Sequence, residues 1–264
     1  MQLEQSIIRD LMIPKIIHFI YGLTEDFGGI PFSLVHYIAI KSAYEVNRPE
    51  QINFFFRYEP EGEFWEKAKP YLHLVPVEPP TEIFGNPLCH HAHQSDVLRL
   101  LILIQYGGIY LDLDTICIKP FDDLLHHKFV IGQQGSGYHL DGLCNAVLLS
   151  EKNARFASVW LSNYKTFRSK GQDAFWDEHS IIVPMQLCPF FSMSDDVHIE
   201  PYTSFHFPHY NMMDKMFEGD YAFPKAYCHH LWESISWERY LKHLSLENIH
   251  SLDSCYYKLA KPYL

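Results

Sequence analysis

Two aspartates two residues apart close the hydrophobic run QYGGIYLDLDTICIKPF, residues 105–121, and their spacing poses a problem of charge. If the run is a strand, its side chains alternate. Ile109, Leu111 and Leu113 then share one face, and Tyr110, Asp112 and Asp114 share the other. Two neighbouring carboxylates repel each other unless something positive lies between them. A divalent cation answers that need, since carboxylate oxygens are hard ligands suited to Mg2+ or Mn2+, ions that keep waters and bridge to phosphate oxygens. A strand end at which both acids face water needs no ion, and the pair alone leaves both readings open. A second constellation lies just upstream in SDVLR, residues 95–99, where Asp96 and Arg99 are three apart and share a helix face. A carboxylate that accepts and a guanidinium that donates can together grip sugar hydroxyls. The same pair also reads as a helix-dipole acid with an ion-pair partner.

Elements that would position these groups can be read from pattern. PKIIHFIYG (14–22) reads as a buried first strand, FSLVHYIAIKSAYEVN (32–47) as a helix opened by Pro31, INFFFRYE (52–59) as a second strand and HLVPV (73–77) as a third. A polar loop rich in Pro and His covers 78–94. Ser95 then reads as the cap of a helix, DVLRLLILIQY, which Gly107–Gly108 terminates before the acid-bearing strand. Further strands are expected at KFVIGQQ and NAVLLSE, and an amphipathic helix near ARFASVWLSNYKTF. Alternation of strands and helices over 14–118 predicts an α/β unit on a Rossmann-type, mostly parallel central sheet flanked by helices, in one domain spanning 1–264. Ligands of such sheets gather beyond the carboxyl ends of the strands, where Asp112 and Asp114 are expected. The cation reading gains from that placement.

Composition narrows the partners. A formal charge of −11 argues against nucleic acid, whose binding needs a basic footprint. An acidic chain that binds an anionic nucleotide needs a metal or localised Lys and Arg to offset its own field. Six scattered Cys without a CxxC pair point to reduced thiols, and residues 1–22 lack the features of a secretory leader, so the expected location is cytoplasmic. No stretch is long and apolar enough to span a bilayer, while peripheral association through a partner or an amphipathic surface stays open.

Three blocks carry a resemblance. HQSDVLRLLILIQYGGIYLDLDTICIKPFDDLL (93–125) resembles the DXD region of family 32 glycosyltransferases, and clostridial glucosylating toxins carry a related run. IPKIIHFIYG (13–22) is similar to that family's first strand, and HLWESISW (230–237) to its C-terminal H-x-W…S-W signature. The blocks fall in the family's order. The resemblance implies a GT-A-like fold and a metal-dependent, retaining transfer of a hexose from a nucleotide-diphosphate sugar, with a UDP-sugar favoured and a GDP-sugar the alternative. The acceptor would be a glycan, a lipid-linked sugar or a protein. By the same resemblance Asp96 and Arg99 hold the donor sugar, and Asp112 contacts ribose or sugar and reaches Mn2+ or Mg2+ through water. Asp114 ligates the metal directly, and His230, which alone fits H-x-W with Trp232, is the third ligand, with His229 as the fallback. Phe19, Ile20 and Tyr21 lie against base and ribose, and Ser236 and Trp237 close over the diphosphate. Asp141 and Asn145, in YHLDGLCNAVLL, are candidates for the neighbourhood of the anomeric carbon, with a turn acid and a strand-start Asn as their ordinary structural roles.

Two other readings compete. IYLDLDTIC also fits a haloacid-dehalogenase-like phosphatase with Asp112 as nucleophile, although that motif usually opens its fold and no downstream Lys with a paired acidic motif can be placed. A sugar-nucleotide binder without transfer would retain every residue named above. CHHAH (89–93) holds four potential zinc ligands but lacks the paired spacing of structural zinc sites, and it reads as a polar loop beside the donor pocket.

Overall fold

A computed structural model describes residues 13–191, 194–250 and 252–264. Residues 1–12, on which part of the no-leader expectation rests, lie outside the described residues. The β-branched and aromatic runs form strands β1 (Ile16–Ile20), β2 (Gln51–Phe56), β3 (His73–Pro76), β4 (Gly108–Leu111), β5 (Thr115–Cys117), β6 (Phe129–Gly135), β7 (Leu140–Ser150), β8 (His198–Glu200) and β9 (Cys228–His230). Seven of them form one sheet in the order β8-β6-β7-β4-β1-β2-β3. The pairs β1–β2, β2–β3, β1–β4 and β6–β8 are parallel, while β7 runs antiparallel to both of its neighbours. The expected mostly parallel α/β sheet is therefore observed, with β7 the strand that runs against the rest. β5 and β9 stand apart as a two-stranded antiparallel ribbon.

Each face of the sheet buries its own apolar cluster, because both faces are covered by helices. Ile17, Phe19, Phe54, Ile109 and Leu111 pack under α1 (Leu34–Asn47) and the C-terminal segment. Phe55, Tyr110 and Leu148 pack against α3 (His91–Tyr106) and α4 (Arg155–Asn163), α2 being the short helix Glu63–Ala68 on the first face. Strand alternation thus sends Phe19 into the first cluster and Ile20 into the second.

Two expectations about boundaries are corrected. α3 begins at His91, with the His90 side chain accepting from Ala92 N–H as its cap, so Ser95 lies one turn inside. There its hydroxyl serves Arg99. β4 ends at Leu111, and Leu113 and Asp114 form a turn before β5, so Asp112 and Asp114 do not share a strand face. Their proximity comes from that turn.

Gly107 and Gly108 both have positive φ, 68° and 103°. A Cβ on Gly108 would sit 2.6 Å from the Ile16 carbonyl oxygen, so only glycine lets the α3–β4 connection lie this close to β1. The Gly107 carbonyl accepts from His18 Nε2, and His18 Nδ1 accepts from Asn53, which fixes a buried neutral imidazole. Burial holds the His18 pKa down to about 4 against the raising effect of the Gly107 carbonyl. Below pH 6.5 the unfolded chain takes up a proton there that the folded chain refuses. Stability should therefore fall as pH drops from 6.5 to 4, by about 1.4 kcal/mol per pH unit from this group at its steepest. Urea midpoints at pH 7, 6 and 5, compared with a His18→Gln variant whose profile should be flatter, check this.

α1 also anchors the segment that follows the acid pair. Ser42 Oγ accepts from Cys117 N–H and donates to the Ala39 carbonyl. Asn47 Oδ1 accepts from Phe121 N–H while its Nδ2 donates to the Ala43 carbonyl. Asn47→Ala should cost about 2 kcal/mol of unfolding free energy, because it strands the buried Phe121 N–H. Denaturant titration measures it.

Candidate active site

At the carboxyl ends of β1 and β4 lies a cleft of about 900 Å³. Ile20, Tyr21, Asp96, Arg99, Asp112, Asp114, Asn145 and His230 all line it. Asp112, Asp114 and His230 offer ligand atoms that lie within 4.8 Å of one another. His230 Nε2 is 3.3 Å from Asp114 Oδ1 and 3.8 Å from Asp112 Oδ2. The ribbon makes this possible: His230 pairs with Thr115 across β5 and β9, and Leu231 N–H donates to the Asp114 carbonyl.

Each carboxylate has one oxygen committed to protein and one turned toward the shared space. Asp112 Oδ1 accepts from the Tyr110 hydroxyl at 2.6 Å and faces Arg99 Nη1 at 3.1 Å, leaving Oδ2 toward His230. Asp114 Oδ2 accepts from Glu233 N–H at 2.7 Å, leaving Oδ1. Two hard oxygens and one imidazole nitrogen fit a Mg2+- or Mn2+-type cation. The electrostatics set burial against the charged neighbours of each group. Burial pushes the Asp112 carboxyl above its usual range, with neighbouring Asp114 adding to the rise, even though Arg99 and His230 pull it down. Burial acts the same way on Asp114, but His230 and the Glu233 N–H outweigh it and hold it low. For His230 burial favours the neutral ring, and the two aspartates reverse that preference.

Arg99 is 5% exposed, and protein groups surround it. It donates to the Asn145 carbonyl at 2.9 Å, to the Ser95 carbonyl at 3.2 Å and to Ser95 Oγ at 3.1 Å. Its guanidinium lies 4.5 Å from the Tyr110 ring centroid and 3.4 Å from Asp96. Asp96 in turn accepts from Asn145 Nδ2 at 2.7 Å and faces His93 at 3.4 Å. Burial would raise the Asp96 carboxyl, yet Arg99, His93 and Asn145 together hold it below its usual range. Asn145 reaches Asp96 because the β6–β7 ladder slips there: Ile131 pairs with Leu148, but Gly132 pairs with Cys144. Asn145 is thus a mid-strand residue at an irregularity, and Asp141 lies within β7 instead of in a turn.

Some expected residues are placed elsewhere. Phe19 is fully buried in the sheet core and does not line the cleft. Ser236 is buried with no hydrogen-bond partner for its hydroxyl among the described residues, and Trp237 packs on the core. Trp232, Glu233, Ser234 and Ile235 line the cleft in their place, because the left-handed Trp232 (φ 54°) turns the chain into the short helix Glu233–Ser236. Asp141 does not line the cleft either. It accepts from Gln134 Nε2 at 3.1 Å and lies 2.7 Å from His209 Nε2. Gln134 does line it, and its Oε1 is buried with no partner among the described residues. Neither Gln134 nor His209 was singled out in the sequence. An amide on a strand and a His among seventeen carry no local signal, and only the fold shows that His209 is 3% exposed. His36, buried on α1, faces Glu233 at 2.7 Å, another link the sequence concealed. His90 and His91 of the CHHAH loop line the cleft, but among the described residues that loop forms no group of three converging metal ligands. No lysine lines the cleft among the described residues, so the downstream Lys of a phosphatase motif has no counterpart there.

Residues 36–130 match the family model described as a glycosyltransferase sugar-binding region containing a DXD motif. Over 270 residues the chain is 33% identical to Glucan organizing enzyme 1 of Cryptococcus neoformans var. grubii, covering 97% of this chain and 72% of that protein. A shorter stretch of 38 residues is 50% identical to Inositol phosphoceramide mannosyltransferase 3 of Schizosaccharomyces pombe, over 14% of this chain and 11% of that one. Among solved structures, the PaToxG glycosyltransferase aligns with a TM-score of 0.45 at 20% identity, over 72% of this chain and 76% of that chain. The galactosyltransferase LgtC aligns with a TM-score of 0.46 at 12% identity, over 94% and 95%.

Proposed function

Because the chain belongs to the family of glycosyltransferases whose sugar-binding region contains a DXD motif, we propose that it transfers a hexose from a nucleotide-diphosphate sugar to an acceptor hydroxyl, with retention and with a divalent cation. The observation that carries the metal dependence is the convergence of Asp112, Asp114 and His230 at the carboxyl ends of the strands. When bound, Mn2+ or Mg2+ supplies Lewis-acid stabilisation of the charge that develops on the departing diphosphate. Asp112 Oδ2, Asp114 Oδ1 and His230 Nε2 are the groups that would hold it.

Asp96 orients the donor sugar, held in place by Asn145, while Arg99 balances the charge of Asp96 and Asp112. Tyr21, whose hydroxyl donates to the Ile30 carbonyl and whose ring stacks on Phe27 at 5.5 Å, offers an aromatic wall for the base. Retention requires a covalent intermediate or delivery of the acceptor to the face that the diphosphate leaves. Among the acids that line the cleft in the described residues, Asp96 is held by protein partners, Asp112 and Asp114 serve the cation site, Glu233 faces His36, and Asp173 and Asp177 sit exposed at the rim, which favours same-face delivery. Gln134 Oε1 is then the neutral acceptor available to a hydroxyl at that face, with Asp141 and His209 as its positioning residues. Gln134→Leu should lower kcat about tenfold with little change in KM for the donor, the size expected for one lost hydrogen bond in the transition state.

The acceptor is a glycan, a lipid-linked sugar or a protein, and the UDP-sugar remains the favoured donor. No helix among the described residues is long and apolar enough to cross a membrane. Six free cysteines, five of them buried, support a reducing, cytoplasmic setting. The two apolar clusters share one sheet, which supports a single domain over the described residues 13–264. The deciding experiment measures nucleotide release from a panel of UDP- and GDP-sugars with and without Mn2+. Mn2+-dependent hydrolysis of one donor is expected. Silence across the panel together with metal-dependent release of phosphate from phosphomonoesters would sink the reading.

A further inference from the structure

His230 also belongs to a second group of ligand atoms, whose Cys144 lines the same cleft as the two aspartates. Cys144 on β7, His206 in the segment before Pro208, and His230 bring one ligand atom each to within 4.8 Å of one another, and all three residues are buried. His206 is fully buried, and neither of its ring nitrogens has a hydrogen-bond partner among the described residues. His230 Nδ1, the nitrogen opposite the one that faces the acids, is likewise buried and unpartnered. Buried imidazole nitrogens normally find partners, and leaving one unpaired costs free energy. A thiol and one nitrogen from each of two histidines, on rings whose buried nitrogens lack partners, are the arrangement a soft cation would complete.

We propose that Cys144, His206 and His230 form a second cation site, selective for a thiophilic ion of the Zn2+ or Cd2+ class and sharing His230 with the acidic site. The donor sets differ in kind. Asp112, Asp114 and His230 present two oxygens and a nitrogen, which suit Mg2+ or Mn2+. Cys144, His206 and His230 present a sulfur and two nitrogens, which suit Zn2+. Ligand edges of a tetrahedral zinc site are about 3.5 Å, so small rotations of His206 and His230 about their side-chain bonds are needed to close the group. On binding, the Cys144 thiol proton passes to solvent and the thiolate becomes the ligand.

A rotation that commits His230 to the soft ion takes it from the acidic site. The two sites then compete for one ligand. A soft cation becomes an inhibitor of the hard-cation enzyme, through the protein and without occupying the position between the aspartates. This consequence rests on the acidic site being the working metal site, whereas the existence of the soft site does not.

The test uses Cd2+ alone, in a Cys89→Ser background that removes the exposed thiol. Thiolate-to-cadmium charge transfer is followed in the ultraviolet, and Mn2+ binding by electron paramagnetic resonance in parallel. The parent should show a saturable band at one equivalent of Cd2+. Cys144→Ser, close to isosteric, should lose the band, and His206→Gln should weaken Cd2+ binding about tenfold or more, at least the loss that mutating an outer-shell partner of a metal ligand causes. Asp112→Asn with Asp114→Asn should keep the cadmium band and lose Mn2+ binding, which separates the two sites. An unchanged band in Cys144→Ser, or unchanged Cd2+ affinity in a His206→Gln protein with the parent's circular dichroism, would overturn the soft site. Loss of Mn2+ binding nowhere in the series would instead overturn the reading of the acidic site.

Discussion

Asp114→Asn is expected to lower metal-dependent turnover by about 10²–10³-fold, the scale of removing one preorganised electrostatic group from a transition state. The substitution keeps the shape of the side chain, and the amide oxygen can still accept from Glu233 N–H. What it removes is the second negative charge beside His230 and the hard anionic oxygen turned toward the shared space. Mn2+ titration of the initial rate should show a raised half-saturation point as well as a lower plateau. Asp112→Asn should act in the same direction but also loosen Arg99, which faces Asp112 Oδ1. Retention of full turnover in Asp114→Asn would remove the acid pair from the mechanism.

Arg99→Met should cost about 3–5 kcal/mol of stability, because it leaves buried carboxylates without their partner. Among the described residues Arg99 is the one cation shared by Asp96 and Asp112, and its other donors close on the Ser95 and Asn145 carbonyls. Lys at this position should recover only part of the loss, since an ammonium cannot reproduce a planar fork that meets Ser95, Asp96, Asp112 and Asn145 at once. Urea unfolding of Arg99→Met, Arg99→Lys and the parent measures it. A loss below about 1 kcal/mol would mean that the cluster is solvated and the pairing contributes as little as surface pairs do.

That second prediction departs from what the residues alone suggested. From SDVLR the guanidinium reads as a hand for sugar hydroxyls, and the structure shows it occupied by protein on most sides. The difference is long-range. Asn145 and Asp112 reach Arg99 only because β7 lies beside β4, a pairing that no spacing within residues 95–99 announces.

Sheet class was legible for a simpler reason. Strands buried on both faces are continuous apolar runs, and the runs at 16–20, 52–56 and 108–111 stand out in the sequence. The acid pair and His230 were likewise legible as a set through motif order, although the shared strand face expected for the acids is replaced by a turn. Phe19 shows where pattern stops: two adjacent apolar residues must point oppositely, but which of them meets the cleft depends on which helix covers which face. Ser236 and Trp237 fail to line the cleft because the backbone turns at Trp232, a left-handed residue that side-chain identity does not reveal. Gln134, Asp141 and His209 form a chain over 75 residues of sequence, and no local window contains it.

The slip between β6 and β7 divides the ladder into two independently registered halves. Val130 and Ile131 keep Leu149 and Leu148 opposite them in the core half. Gly132, Gln133 and Gln134 meet Cys144, Leu143 and Gly142 in the cleft half. In an unbroken ladder, inserting or deleting one residue flips every later side chain to the other face. Here the irregularity absorbs such a change. Lineages descended from this chain can therefore lengthen, shorten or re-pair the cleft half of the sheet, and with it the groups offered to an acceptor, while the hydrophobic half keeps the register on which the fold depends.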